Sequence, residues 1–188
     1  MKTAILIPGM PTKEEYFNPA NAAPSNAHWF AWLQIQLLVK GILTQAIEMP
    51  EPYEPVYEKW CSVFEQFKID EKTILVGHSC GAGFLVRWLS ETQKKVGKVA
   101  LVAPWLDPEK MLKNGMFDFE IDGNLASKTE SIHLFYSTDD DEQEIVTANL
   151  LKEKVPGLLV SEFTDKGHFC LSDLKTEEFP ELRDWLLQ

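Results

Sequence analysis

The sequence predicts a three-layer α/β/α sandwich, a mostly parallel sheet of about six strands with helices on both faces. Short apolar or β-branched runs alternate with longer helical patterns along the chain. The short runs read as buried strands, as a parallel sheet covered on both faces requires. No internal repeat or inter-domain linker interrupts the rhythm, so residues 1–188 are expected to form a single domain with one sizeable core.

The elements follow in order. Residues 3–7 read as the first strand, ended by Pro8 and Gly9. Residues 10–24 carry Pro11, Pro19 and Pro24 among Asn and Ala, and read as a long loop. Residues 29–39 place Trp29, Trp32, Leu33, Ile35, Leu37 and Leu38 at helical spacing, and 42–47 form the second strand. Helices are expected at 56–67, 83–90, 144–155 and 177–187, and strands at 73–76, 99–102, 132–136 and 158–163. Residues 104–130 mix Trp105, Met111, Met116, Phe117 and Phe119 with many charges; surface irregularity and a small cap over a pocket are both open there. Parallel strands joined by helices imply right-handed crossovers.

Composition narrows the function. A net charge of −11 opposes nucleic acid and anionic membranes as partners. Cys61, Cys80 and Cys170 offer neither even pairing nor metal-ligand spacing, which implies free thiols in a reducing compartment and no metal site. The apolar run before Pro8 is too short for a signal peptide, and no run reaches the length of a membrane span. A cytoplasmic location is expected, with protein partners left open.

The chemistry concentrates at Gly77-His78-Ser79-Cys80-Gly81, where a buried run ends and a helix begins. G-x-S-x-G in that position is the nucleophile-elbow pattern. The serine sits on a sharp, strained turn that crowds the positions two before and two after it, so Gly77 and Gly81 are required there. The alternative is a turn in which Ser79 merely caps the helix. Cys80 is a rival nucleophile, although its place in the pattern calls on its backbone N–H. A serine hydroxyl needs a base and an orienting acid. His78 adjoins Ser79 and should point away from it, and His28 and His133 read as structural. His168, in the loop F-T-D-K-G-H-F after the sixth strand, is the candidate base. Spacing leaves the acid open among Asp139, Asp140 and Asp141 after the fifth strand, with Asp165 read as a brace for the His168 loop. An oxyanion hole would use the N–H of Cys80 and a second donor after the first strand, Met10 in preference to Gly9. Trp29, Trp105, Met116 and Phe117 are candidate pocket residues.

With those residues in place, the chain resembles the small, lidless α/β hydrolases of the retinoblastoma-binding protein 9 and YdeN-like kind. The motifs are P-G after the first strand, W-F-A-W at 29–32, M-P-E-P at 49–52, D-E-K-T-I-L-V-G-H-S-C-G-A at 70–82, S-T-D-D at 137–140 and F-T-D-K-G-H-F at 163–169. The resemblance implies a minimal α/β-hydrolase fold with little or no lid, Ser79 as nucleophile, His168 as base and Asp140 as acid. It implies hydrolysis of a small carboxylic ester or amide through an acyl-enzyme, without a cofactor. A binding module that retains the triad with little turnover is the alternative. The loop P-G-M-P-T-K departs from the glycine-rich loop frequent in the family. The L-x-C-x-E peptide of retinoblastoma-type partners is absent, so that partner is not carried over.

Overall fold

The computed structural model describes residues 2–188. Six parallel strands form one sheet: β1 (Thr3–Ile7), β2 (Leu43–Ala46), β3 (Thr73–His78), β4 (Val96–Val102), β5 (Thr129–Ser137) and β6 (Leu159–Phe163), in the order β2-β1-β3-β4-β5-β6. Seven α-helices are described: α1 (Lys13–Phe17), α2 (Phe30–Leu38), α3 (Tyr57–Phe64), α4 (Cys80–Glu91), α5 (Glu142–Lys154), α6 (Leu171–Leu174) and α7 (Pro180–Leu187). All six strands and five of the helices lie where the hydrophobic patterning puts them, with ends displaced by a few residues.

Side chains alternate across the sheet, and both faces are apolar. Ile5, Ile7, Leu75, Val99 and Leu101 pack with Trp60, Phe64, Phe84, Trp88 and Leu151 of α3, α4 and α5. Ala4, Leu6, Ile74, Val76, Ala100 and Val102 pack on the other side with Phe30, Leu33, Leu182 and Trp185 of α2 and α7. The inner strands β3 and β4 are buried along their whole length, whereas the edge strands β2 and β6 are not.

β4 starts three residues before its expected beginning, because Gly97 and Lys98 break the apolar run but not the ladder: Lys98 pairs in register with Ser131. Its ammonium donates to the Trp185 carbonyl at 2.9 Å, which is how a lysine is accommodated at 7% exposure. α1 and α6 were not expected. α1 begins with a capping box in which Thr12 and Glu15 satisfy each other's orphan groups. Because the sheet is parallel, the carboxyl ends of all six strands face one way. The chain leaves β1 for β2 on one side and later for β3 on the other, so a crevice opens between β1 and β3 at that end.

Candidate active site

Ser79 occupies that crevice, in the one residue between β3 and α4. Its backbone is left-handed, φ 53° and ψ −122°, a conformation costing about 1–3 kcal/mol for a residue with a Cβ. Three bonds hold it there: its N–H donates to the Val102 carbonyl at 2.9 Å, and its carbonyl accepts from Gly83 at 3.0 Å and Trp105 at 3.2 Å. The Ser79 side chain makes no capping bond to α4, so the turn does not exist to cap the helix. The flanking glycines are dictated by contact. A Cβ on Gly77 would stand 2.5 Å from the Ala82 Cα, and one on Gly81 would stand 2.4 Å from the carbonyl oxygens of Ile7 and Pro8.

His168 reaches the same cavity from the loop after β6. Its Nδ1–H donates to both oxygens of Asp140, at 3.0 and 3.1 Å. The carboxylate only accepts, so the proton sits on Nδ1 and Nε2 is the bare nitrogen of the neutral ring. The Asp140 side chain is almost fully buried behind the ring. Asp140 Oδ1 also accepts the Asp141 N–H at 2.8 Å. The loop is held by its backbone. The His168 N–H donates to Asp173 Oδ2 at 3.1 Å, and the His168 carbonyl accepts from His78 Nε2 at 2.7 Å. Phe169, at φ 59°, drives a fully buried ring inward, and its carbonyl accepts from the Trp29 indole at 3.1 Å.

Electrostatics separate the four histidines. Burial pulls the His168 pKa down, but the hydrogen bond and charge of Asp140, with Glu144 and Asp173, outweigh it and raise the group above its ordinary value. His78 is fully buried, and burial with the neighbouring His168 and His28 holds it well below the ordinary range. Burial also lowers His28, whose Nδ1 accepts the Leu171 N–H at 3.1 Å, and takes His133 down to about 4. His168 alone of the four is kept basic. The Cys80 thiol is fully buried, and its burial, with the charge of Asp107, raises its pKa strongly; a thiolate is disfavoured there.

Beside Ser79, the amides of Gly9, Met10 and Cys80 are unclaimed by other protein groups among the described residues, so hydrogen bonding does not choose between Gly9 and Met10. Met10 lines the cavity itself, while Cys80 opens α4, whose first N–H groups have no partner within the helix. Asp140, Glu144 and His168 bring a ligand atom each to within 4.8 Å of one another, the one such group of potential metal ligands among the described residues. The Nδ1 proton given to Asp140 occupies the nitrogen that an ion beside the two carboxylates would need.

The cavity measures about 550 Å³, in the usual range for small-molecule sites. Its walls are not those expected. None of Trp29, Trp105, Met116 and Phe117 lines it; the far wall comes instead from the 10–27 segment, including Tyr16, Asn21 and Asn26, with His28 beside it. Trp29 is fully buried because its indole serves the Phe169 carbonyl. Met116 is buried in the core on the α3–α4 face, the Trp105 indole donates to Gln143, and the Phe117 ring packs over Gly83. The 104–130 segment therefore does not roof the Ser79 cavity. Asp165 is exposed and braces nothing; that work falls to Asp173, and to Asp139, which accepts the Gly167 N–H at 3.0 Å. The T-K-E-E capping box at 12–15 is the sequence signal that marks the unforeseen wall.

A serine hydrolase family model matches residues 19–186. YdeN of Bacillus subtilis (strain 168) is 32% identical over 154 residues, 73% of this chain and 81% of YdeN. Serine hydrolase RBBP9 of Rattus norvegicus is 31% identical over 166 residues, 82% of each chain. The crystal structure of the B. subtilis ydeN gene product superposes with a TM-score of 0.83 at 23% identity, covering 100% of this chain and 97% of that one. Ferulic acid-bound Est1E from Butyrivibrio proteoclasticus gives 0.70 at 13% identity, covering 100% and 88%. These superpositions show the α/β-hydrolase fold.

Proposed function

The chain belongs to the serine hydrolase family, and on that ground we propose that it cleaves a small carboxylic ester or amide through an acyl-enzyme on Ser79. Ser79 Oγ attacks the carbonyl carbon while His168 Nε2 accepts its proton. Asp140 holds the tautomer that leaves Nε2 bare and stabilises the imidazolium that forms. The N–H groups of Cys80 and Met10 receive the charge developing on the carbonyl oxygen. The imidazolium then protonates the leaving alcohol or amine, and water, deprotonated by the same nitrogen, releases the acid.

The observation that carries this reading is the pairing of His168 Nδ1 with a buried Asp140 while the same imidazole lines a cavity beside Ser79. Labelling with a fluorophosphonate, followed by a panel of acyl esters and aminoacyl amides, tests it. Ser79 should be labelled and Ser79→Ala should lose both labelling and turnover, by ~10³-fold or more. Turnover that survives in Ser79→Ala sinks the assignment. A labelled protein that turns over nothing in the panel favours the binding-module alternative.

A further inference from the structure

Glu144 is the third residue of α5, whose N-cap is Asp141. A glutamate at that position ordinarily reaches back to the N-cap amide and closes a capping box. Here the amide is taken, because Asp141 N–H donates to Asp140 Oδ1 at 2.8 Å. Glu144 is left facing the site. One of its oxygens, an oxygen of Asp140 and a ring nitrogen of His168 all lie within 4.8 Å of one another. No other residue among those described hydrogen-bonds its carboxylate.

We propose that Glu144 is a positioning residue for the reaction, a second carboxylate behind His168 that steadies the imidazolium alongside Asp140 and partly replaces it when it is lost. The proposal rests on His168 being the base. Five groups face that ring: Asp140 from the β5–α5 turn, Glu144 from α5, Asp173 from α6, His78 from the end of β3 and His28 from the segment before α2. The two other histidines are held neutral by burial, so the carboxylates set the local charge. Asp173 spends its Oδ2 on the backbone N–H groups of His168 and Cys170, at 3.1 Å each. Glu144 has no such duty. Burial raises its own pKa, against the pull of His168 and with the push of Asp140 and Asp141, so its charge grows with rising pH.

The experiment is an NMR titration of the His168 imidazole together with pH–rate profiles for Glu144→Gln, Asp140→Asn and the double variant. Glutamine keeps the shape of Glu144 and removes only the charge. Glu144→Gln should move the His168 titration and the acidic limb of kcat/KM to lower pH with no change in melting temperature. Added to Asp140→Asn, it should cost a further ~10-fold or more in kcat. A His168 titration left in place by Glu144→Gln, or a double variant as active as Asp140→Asn, overturns the proposal. The titration reads the action of Glu144 on the ring whether or not that ring is the base. Failure of the base assignment shows separately, as turnover that survives His168→Ala.

Discussion

His78 Nε2 lies 2.7 Å from the carbonyl oxygen of His168. A carbonyl only accepts, so the His78 proton sits on Nε2. His78 ends β3 and immediately precedes Ser79. The strand that presents Ser79 therefore also holds the loop that presents the His168 imidazole. His78→Phe should leave that carbonyl without its donor and cost about 1–3 kcal/mol of stability. The expected loss in kcat is ~10-fold or more, because a small displacement of His168, the proposed base, is costly. His78→Gln, which keeps a donor, should retain more of both. Chemical denaturation and steady-state kinetics on the two variants check this; equal activity in His78→Phe and the parent refutes it.

Turnover should rise with pH along a limb set by His168, placed above the ordinary histidine value of 6.5 because Asp140, Glu144 and Asp173 hold the proton on against burial. The same group affects stability with a fixed sign. A folded pKa above the unfolded one means the charged pair with Asp140 contributes fully below the unfolded value, and that contribution is lost as pH rises through the folded value. His168→Gln should remove both the limb and this component of the stability profile, as read by pH–rate curves and denaturation at several pH values.

His133 should act in the opposite direction. Its ring is stacked on Phe135 with Nε2 against Ser161 Oγ at 2.9 Å, while Nδ1 is buried without a partner among the described residues. Burial lowers its pKa from 6.5 to about 4. The unfolded chain binds a proton that the folded chain refuses, so stability falls as pH drops from 6.5 toward 4. His133→Phe should flatten that decline. Melting temperatures of parent and variant that fall in parallel between pH 7 and pH 5 would count against it.

The sheet was legible chiefly because its inner strands carry consecutive apolar residues. Ser79 was legible because Gly77 and Gly81 record contacts of 2.4–2.5 Å that any side chain would violate. The cavity wall was not. It is made of Met10, Tyr16 and scattered prolines, alanines and asparagines of the 10–27 segment, which follow no strand or helix periodicity, and the large aromatics that drew attention at 29, 105 and 117 are spent on packing. The choice of Asp140 among three consecutive aspartates came from family resemblance and not from spacing. Asp173 was invisible for a different reason: it meets His168 only because Phe169 folds the loop back on itself.

Butyryl esters should be turned over faster than succinyl esters of the same leaving group. The residues lining the cavity include Glu15 and Glu177 and neither lysine nor arginine, so a second carboxylate on the acyl chain meets like charge and no partner. Comparing kcat/KM for the two esters at low and high salt tests the cause as well as the order, since added salt should narrow an electrostatic gap. A preference for the succinyl ester overturns the prediction.

Asp173, and not Asp165, should prove to be the carboxylate on which the His168 loop depends. Proximity in sequence favours Asp165, three residues before the imidazole, but its side chain is exposed and takes no backbone group of the loop. Asp173 stands at the third position of the short helix α6 and closes a capping box with Cys170. Its Oδ2 accepts the N–H groups of His168 and Cys170, both at 3.1 Å, and its side chain fills the space over Gly167, where a Cβ would come within 2.9 Å. Charge-assisted bonds of this kind are worth about 1.5–3 kcal/mol each in total effect on stability, and two N–H groups lose their acceptor together. Asp173→Ala should therefore lower stability by about 2–4 kcal/mol and reduce kcat, because the loop carries His168, the proposed base. Asp173→Asn keeps an acceptor oxygen and should recover part of the loss. Asp165→Ala should stay within about 0.5 kcal/mol of the parent and retain its activity. Denaturation midpoints and kcat for the three variants decide the matter. If Asp165→Ala is the damaging change and Asp173→Ala is silent, the loop is braced otherwise than these contacts state.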